Sequence, residues 1–189
     1  MFRRKITANP IANRSQRWIC NALMELMKEK PYNKITITEI CNKANLVRET
    51  FYRNFSSKDA VVKYCLEQKF NDFINSMSAC ENKLDLFHIG LYYFNYWKKE
   101  KEFLNILIQN KLVNIILDNF SHYLNLIIDD FIDKEESIEA RNYIVDMYAG
   151  ATTTLLIKWV LNDCKESPDE MARIITEYGP ISRKCLCKN

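Results

Sequence analysis

Between residues 47 and 55 the chain reads Val-Arg-Glu-Thr-Phe-Tyr-Arg-Asn-Phe. Val47, Phe51 and Phe55 recur four apart, the spacing that gathers side chains on one face of a helix, and they are expected to turn inward. That leaves Arg48, Glu49, Thr50, Tyr52, Arg53 and Asn54 for other partners, and their chemistry suits the grooves of a nucleic acid. Arginine donates in bidentate fashion to guanine O6 and N7, asparagine pairs with adenine, and a threonine methyl touches thymine. Tyrosine hydroxyls and lysine ammoniums bond phosphate. Arg48 and Arg53 are five apart, about 140° around a helix at roughly 100° per residue, so one of the two faces bases. Arg48 is assigned to bases and Arg53 to the backbone.

The neighbouring sequence supplies elements to hold such residues. Ile19, Ala22, Leu23, Leu26 and Met27 trace one face of a helix that Pro31 ends. Arg14 and Arg17, at the start of that helix, join the contact set. Thr36-Ile-Thr-Glu39 has the form of a capping box, opening a short helix over 37–44. Asn45 follows, where a residue tolerant of left-handed geometry is needed, and Leu46 can pack beneath the turn. A second short helix is expected over 47–54. Ser56-Ser57 then caps a long helix over 57–78, whose inner face is Val62, Cys65, Leu66, Phe70, Phe73 and Met77. Two short helices joined tightly and braced by the helix before them form a helix-turn-helix, whose second helix enters the major groove.

Charge divides the chain in the same place. Residues 1–70 hold 14 Lys/Arg against 6 Asp/Glu, whereas the remainder holds 13 against 18. A basic head, including a mobile arm over residues 1–12, thus precedes an acidic body, suiting the head to a polyanion. The expected division is residues 1–56 as arm and helix-turn-helix, and 57–189 as a helical body with 57–78 as linker.

Composition excludes several classes. Three glycines and four prolines in 189 residues leave few turns, which rules out an all-β fold and points to an all-α chain of about nine helices. Gly90, Gly150 and Gly179 cannot build the glycine-rich loops that cradle phosphate in dinucleotide- or nucleotide-binding folds. The longest uncharged run, Leu86–Trp97, falls short of the ~18 apolar residues of a membrane span, so no membrane partner is expected. The N-terminus has no apolar signal region, which places the chain in the cytoplasm. Seven cysteines, odd in number and without CxxC spacing, are expected as reduced thiols; Cys185-Leu-Cys187 has too little pattern for a site.

Ala44-Asn-Leu-Val-Arg-Glu-Thr50-Phe51-Tyr52-Arg-Asn-Phe55-Ser-Ser-Lys58-Asp59 resembles the signature of the TetR/AcrR transcriptional regulators, A-G-V-S-x-G-T-[FL]-Y-x-[YH]-F-x-[SN]-K-[DE]. With the first helix and the capping box, the resemblance covers about a quarter of the chain. It implies three DNA-binding helices, a linking fourth, and a body that binds a ligand and dimerises. It places Thr50, Tyr52 and Lys58 on phosphate or groove, Arg48 and Glu49 at the base-reading start of the recognition helix, and Thr36 and Thr38 against the DNA backbone. Asn45 stands where the family has Gly, which its left-handed tolerance absorbs. Val47 stands for Ser, losing a cap worth about 1 kcal/mol. Glu49 stands for Gly, and its carboxylate accepts from cytosine N4 or repels phosphate. Asn54 stands for Tyr or His. The operator should therefore differ from those typical of the family.

Beyond residue 80, helices are expected near 82–97, 100–109, 111–131, 136–163 and 168–178. One helix-turn-helix reads few base pairs, so the body must pair two of them on a palindrome. The resemblance implies a homodimer through helices 136–163 and 168–178. Ala149-Gly150-Ala151 and Thr152–Thr154 allow close approach there, either between subunits or within one. The resemblance also implies a cavity for an unknown small apolar or aromatic effector, walled by Phe87, Leu91, Phe94, Tyr123, Tyr143 and Met147. A protein partner as effector is the alternative. A rival of a different class is a carboxylate-bridged metal enzyme using Asp85/His88 and Asp118/His122, but such chemistry wants two ExxH pairs. No catalytic residue, cofactor or metal is therefore assigned, and the resemblance implies a repressor released by its effector.

Overall fold

A computed structural model describes residues 10–78, 85–127 and 137–179. Nine α-helices lie among the described residues: α1 Pro10–Glu29, α2 Ile37–Lys43, α3 Arg48–Asn54, α4 Lys58–Ser78, α5 Leu86–Lys99, α6 Lys101–Gln109, α7 Val113–Ile127, α8 Ile138–Leu161 and α9 Pro168–Tyr178. The chain is all-helical, a helix-turn-helix head followed by a helical C-terminal domain. Residues 1–9 of the expected arm lie outside the described residues, and Pro10 opens α1 rather than ending the arm, since a first-turn proline has a suitable φ and needs no amide. A single 3₁₀ turn, Tyr32–Lys34, follows Pro31; the periodicity gives no sign of it.

The described residues fall into two compact units. The first takes residues 10–78 together with 106–115, and the second takes 85–105 and 116–179. The division thus falls away from residue 56, because α4 packs along α1 and carries Val61, Val62, Leu66, Phe70 and Phe73 into the first core. Ile19, Leu23, Ile40 and Phe51 complete that core. Cys20 and Cys65 are joined as a disulfide between α1 and α4, their Cα atoms 6.0 Å apart. This corrects the expectation of thiols throughout: the two stand 45 residues apart, and only the pairing of α1 with α4 brings them together. Cys41 and Cys164 are free and buried; Cys80, Cys185 and Cys187 lie outside the described residues.

The second unit is built on α5, which packs against α9. Gly90 permits this approach, since a Cβ there would stand 3.4 Å from the Cβ of Ala172. Phe94 and Trp97 are fully buried. Phe94 meets Trp159 edge-on at 5.2 Å, and Trp97 meets Phe120 at the same separation. Helix α8 buries Val145, Tyr148, Ala149, Leu156 and Trp159. Its length and hydropathy alone would let it cross a membrane, a feature that counting uncharged runs overlooks because Asp146 and Lys158 interrupt it.

Candidate nucleic-acid interface

The turn between α2 and α3 is fixed at both ends by local bonds. Thr36 Oγ1 accepts from the Glu39 amide at 3.2 Å, and Glu39 Oε2 accepts from the Thr36 amide at 2.8 Å, the reciprocal box expected from the sequence. Asn45 adopts φ 54°, and the Leu46 amide reaches the Cys41 carbonyl at 2.9 Å, closing the helix end.

Lys30 also donates to Glu39 Oε1. The Lys30 hydrogen bond, then those from Thr36, hold the Glu39 carboxyl at about 2, below its ordinary 4.5. A depressed acid stabilises the fold above its unfolded value, and that contribution is lost as pH falls through the folded one. The head should therefore lose stability between about pH 4.5 and 2, and Glu39→Gln should flatten that part of the curve. Chemical denaturation at stepped pH, followed by circular dichroism, reads the slope; an unchanged slope in the variant would remove Glu39 as its source.

On α3 the inward face is Phe51, fully buried, and Phe55. Val47, expected beside them, is 68% exposed. It precedes the first helical residue in extended geometry, φ −80° and ψ 151°, so the helical period does not reach it, and it makes no side-chain cap. Arg48, Glu49, Tyr52 and Arg53 are exposed, and Thr50 is half-buried. Arg48 Nη2 lies 3.4 Å from Tyr52 Oη, its guanidinium carbon 5.9 Å from the ring centre. The pair therefore shares one outward face, one turn apart. Asn54 is differently placed: its Nδ2 donates to the Thr50 carbonyl at 2.7 Å, so this donor is engaged by its own helix rather than held ready for a base.

Lys58 is a second correction. Its ammonium donates to the carbonyls of Tyr32 at 2.9 Å and Ile35 at 2.6 Å, and lies 4.5 Å from the Tyr32 ring centre. Such a cation braces the turn before α2 and is not free for phosphate. Tyr32 donates its phenol to Asp59, and burial, reinforced by the Asp59 bond and charge, pushes that phenol well above its ordinary value. Thr36 also gives its hydroxyl to the box, whereas Thr38 is exposed. Arg14 and Arg17 are exposed on α1, with Arg14 stacked 4.5 Å over Trp18. Trp18, 42% exposed, escaped the sequence reading although it falls off the Ile19–Leu23 face, the signal that could have found it.

In the second unit Phe94 and Tyr123 are buried, and Phe87 and Leu91 half-buried. Tyr143 and Met147 are 77% and 47% exposed, which corrects their placement on an interior wall: both belong to the outer side of α8. Asp85 caps α5, accepting from the His88 amide at 2.8 Å and lying 2.7 Å from His88 Nδ1. Asp118 and His122 are exposed. Among the described residues no three His, Cys, Asp or Glu gather as metal ligands.

Family models and relatives agree with this arrangement. The model for bacterial regulatory proteins of the tetR family matches residues 19–65, and one described as a transcriptional regulator C-terminal region matches residues 85–178. An uncharacterized HTH-type transcriptional regulator, YvkB of Bacillus subtilis, is 36% identical over 38% of this chain and 39% of its own length. The HTH-type dhaKLM operon transcriptional activator DhaS of Lactococcus lactis is 23% identical over 64% of this chain and 59% of its own. The matches thus span less than two thirds of either relative. A crystal structure of Lin0861 from Listeria innocua superposes with a TM-score of 0.79 over 93% of this chain and 94% of that one, at 16% identity, a likeness of fold.

Proposed function

Because the chain belongs to the TetR family of transcriptional regulators and binds DNA through that family's helix-turn-helix, we propose that it acts as a cytoplasmic homodimer on a palindromic operator. It represses from that site until a small apolar or aromatic effector releases it. The observation that carries the DNA reading is the outward Arg48–Tyr52 pair on α3. Arg48 reads guanine and Glu49 accepts from cytosine, while Arg14, Arg17, Thr38, Thr50, Tyr52 and Arg53 hold sugar and phosphate. Lys58 positions the turn before α2. The family itself is one of regulators rather than enzymes.

Dimerisation is supported by α8 and α9, each of which turns an apolar line outward: Tyr143, Met147 and Leu161 on one, Ile174 and Tyr178 on the other. The effector site is assigned to Phe87, Leu91, Phe94 and Tyr123. An effector that prefers the dimer geometry with its heads too far apart weakens DNA binding by the ratio of its affinities for the two states. A ligand preferring the other geometry would activate, the sense named for the Lactococcus relative. Transcription from a template bearing the operator, with and without the protein, reads the sign.

The test is an anisotropy titration against DNA from upstream of the chain's own gene, with a scrambled control, at several salt concentrations. A preference of at least ~10³-fold with two chains per site is expected. Weak, equal and salt-dependent binding to both would mean only that the head is basic. Arg48→Ala should cost ~1–3 kcal/mol on the cognate site and relax its preference, whereas Tyr52→Phe should weaken all DNA alike. Equal losses on both DNAs for Arg48→Ala would take base reading away from Arg48.

A further inference from the structure

Pro31 ends α1 and leaves two backbone groups without their helical partners. The Met27 carbonyl would bond the amide of residue 31, which proline lacks, and the Tyr32 amide lies just past the break. One side chain, 78 residues on, meets both. Asn110 Oδ1 accepts from the Tyr32 amide at 2.7 Å, and its Nδ2 donates to the Met27 carbonyl at 3.2 Å.

Asn110 is itself firmly held at the end of α6. Its Nδ2 also bonds the Ile106 carbonyl at 2.8 Å. Lys111 then turns left-handed, φ 62°, and the Leu112 amide closes on the Leu107 carbonyl at 3.0 Å. Helix α6 starts in the second unit and enters the first at Ile106. The turn it reaches leads directly into α2, and Lys58 and Asp59 at the start of α4 bond the same turn.

We propose that Asn110 is a positioning residue, through which the end of α6 sets the placement of the helix-turn-helix and hence the half-site spacing the dimer accepts. The inference rests on the dimeric DNA-binding reading above. It makes α6 a continuous strut from the body to the turn that aims α2 and α3, with a carboxamide as its joint.

The test uses the full chain with Asn110→Ala, which loses all three bonds, and Asn110→Asp, which keeps the acceptor for the Tyr32 amide. Operators selected from a random pool are compared with versions carrying one base pair inserted between half-sites. The wild-type chain should reject the altered spacing, and Asn110→Ala should lose at least fivefold of that discrimination at unchanged affinity for random DNA. Asn110→Asp should fall between. Hydrogen exchange should quicken about tenfold over residues 27–36 in Asn110→Ala and spread into 37–54. Unchanged spacing discrimination, or equal losses at every spacing, would overturn the proposal. If the wild-type chain shows no spacing preference, the dimeric reading fails instead. Exchange then decides: quickening confined to 27–36 refutes the proposal, and spread into α2 and α3 upholds it. Should Asn110→Ala not fold, Asn110→Asp carries the same comparison.

Discussion

Replacing Ala151 by glutamate should split the dimer and lower operator affinity by roughly 10²-fold or more, the scale on which joining two binding modules raises avidity. Helix α8 is apolar on nearly every side, as helices enclosed by neighbours are, yet only one side of it is packed within a chain. Tyr143, Met147 and Leu161 are exposed on the other, and so are Ala151 and Thr154. Beside them a Cβ at Gly150 would meet nothing within 4 Å. A second copy seated there would meet small residues and could approach closely. A carboxylate at position 151 would lose its water to that contact, at a cost of several kcal/mol when unpaired. In the separate chain the same side chain stands in solvent, so folding should be untouched. Light scattering after size exclusion should give one chain at micromolar concentration, and anisotropy should show weak binding with no preference for a complete palindrome. A variant that remained dimeric would move the interface away from this side of α8.

What the sequence shows of this fold depends on how far each residue's partner lies. The capping box at Thr36 and Glu39 needs only a spacing of three, and the left-handed Asn45 only a helix end, so both are readable and both occur. Phe51 and Phe55 follow from a helical period, which stops at the helix boundary and therefore misleads for Val47. Lys58 carries the chemistry of a phosphate ligand, but its carbonyl partners lie 26 and 23 residues away, on a turn that no periodicity announces. Asn110 has no local signature: its worth comes from groups that Pro31 orphans about eighty residues earlier. Tyr143 and Met147 were misplaced for another reason. A helix apolar all round has no phase to tell its packed side from its open one, and only the fold separates them.

Phe51→Ala should have the opposite effect to a charge on α8, removing the reader while leaving the dimer. The ring is fully buried, 5.6 Å from Tyr52 and 6.1 Å from Phe55, which in turn meets Tyr64 on α4 at 5.5 Å. Deleting such a side chain costs ~3–5 kcal/mol, from lost transfer energy and the void left behind. That is a large part of the 5–15 kcal/mol that ordinary domains possess. None of these contacts involves the second unit, whose core is centred on Phe94, Trp97 and Trp159. Hydrogen exchange should therefore quicken across α2 and α3 while α5, α8 and α9 keep their protection, and the chain should still weigh as a dimer. Binding to cognate and random DNA should fall together, unlike in Arg48→Ala, because the whole reading surface is lost rather than one contact on it. Uniform loss of protection through both units would mean that they unfold as one. The α6 joint at Asn110 would then be a path for stability as well as for position, since α6 is the helix that runs from one unit into the other.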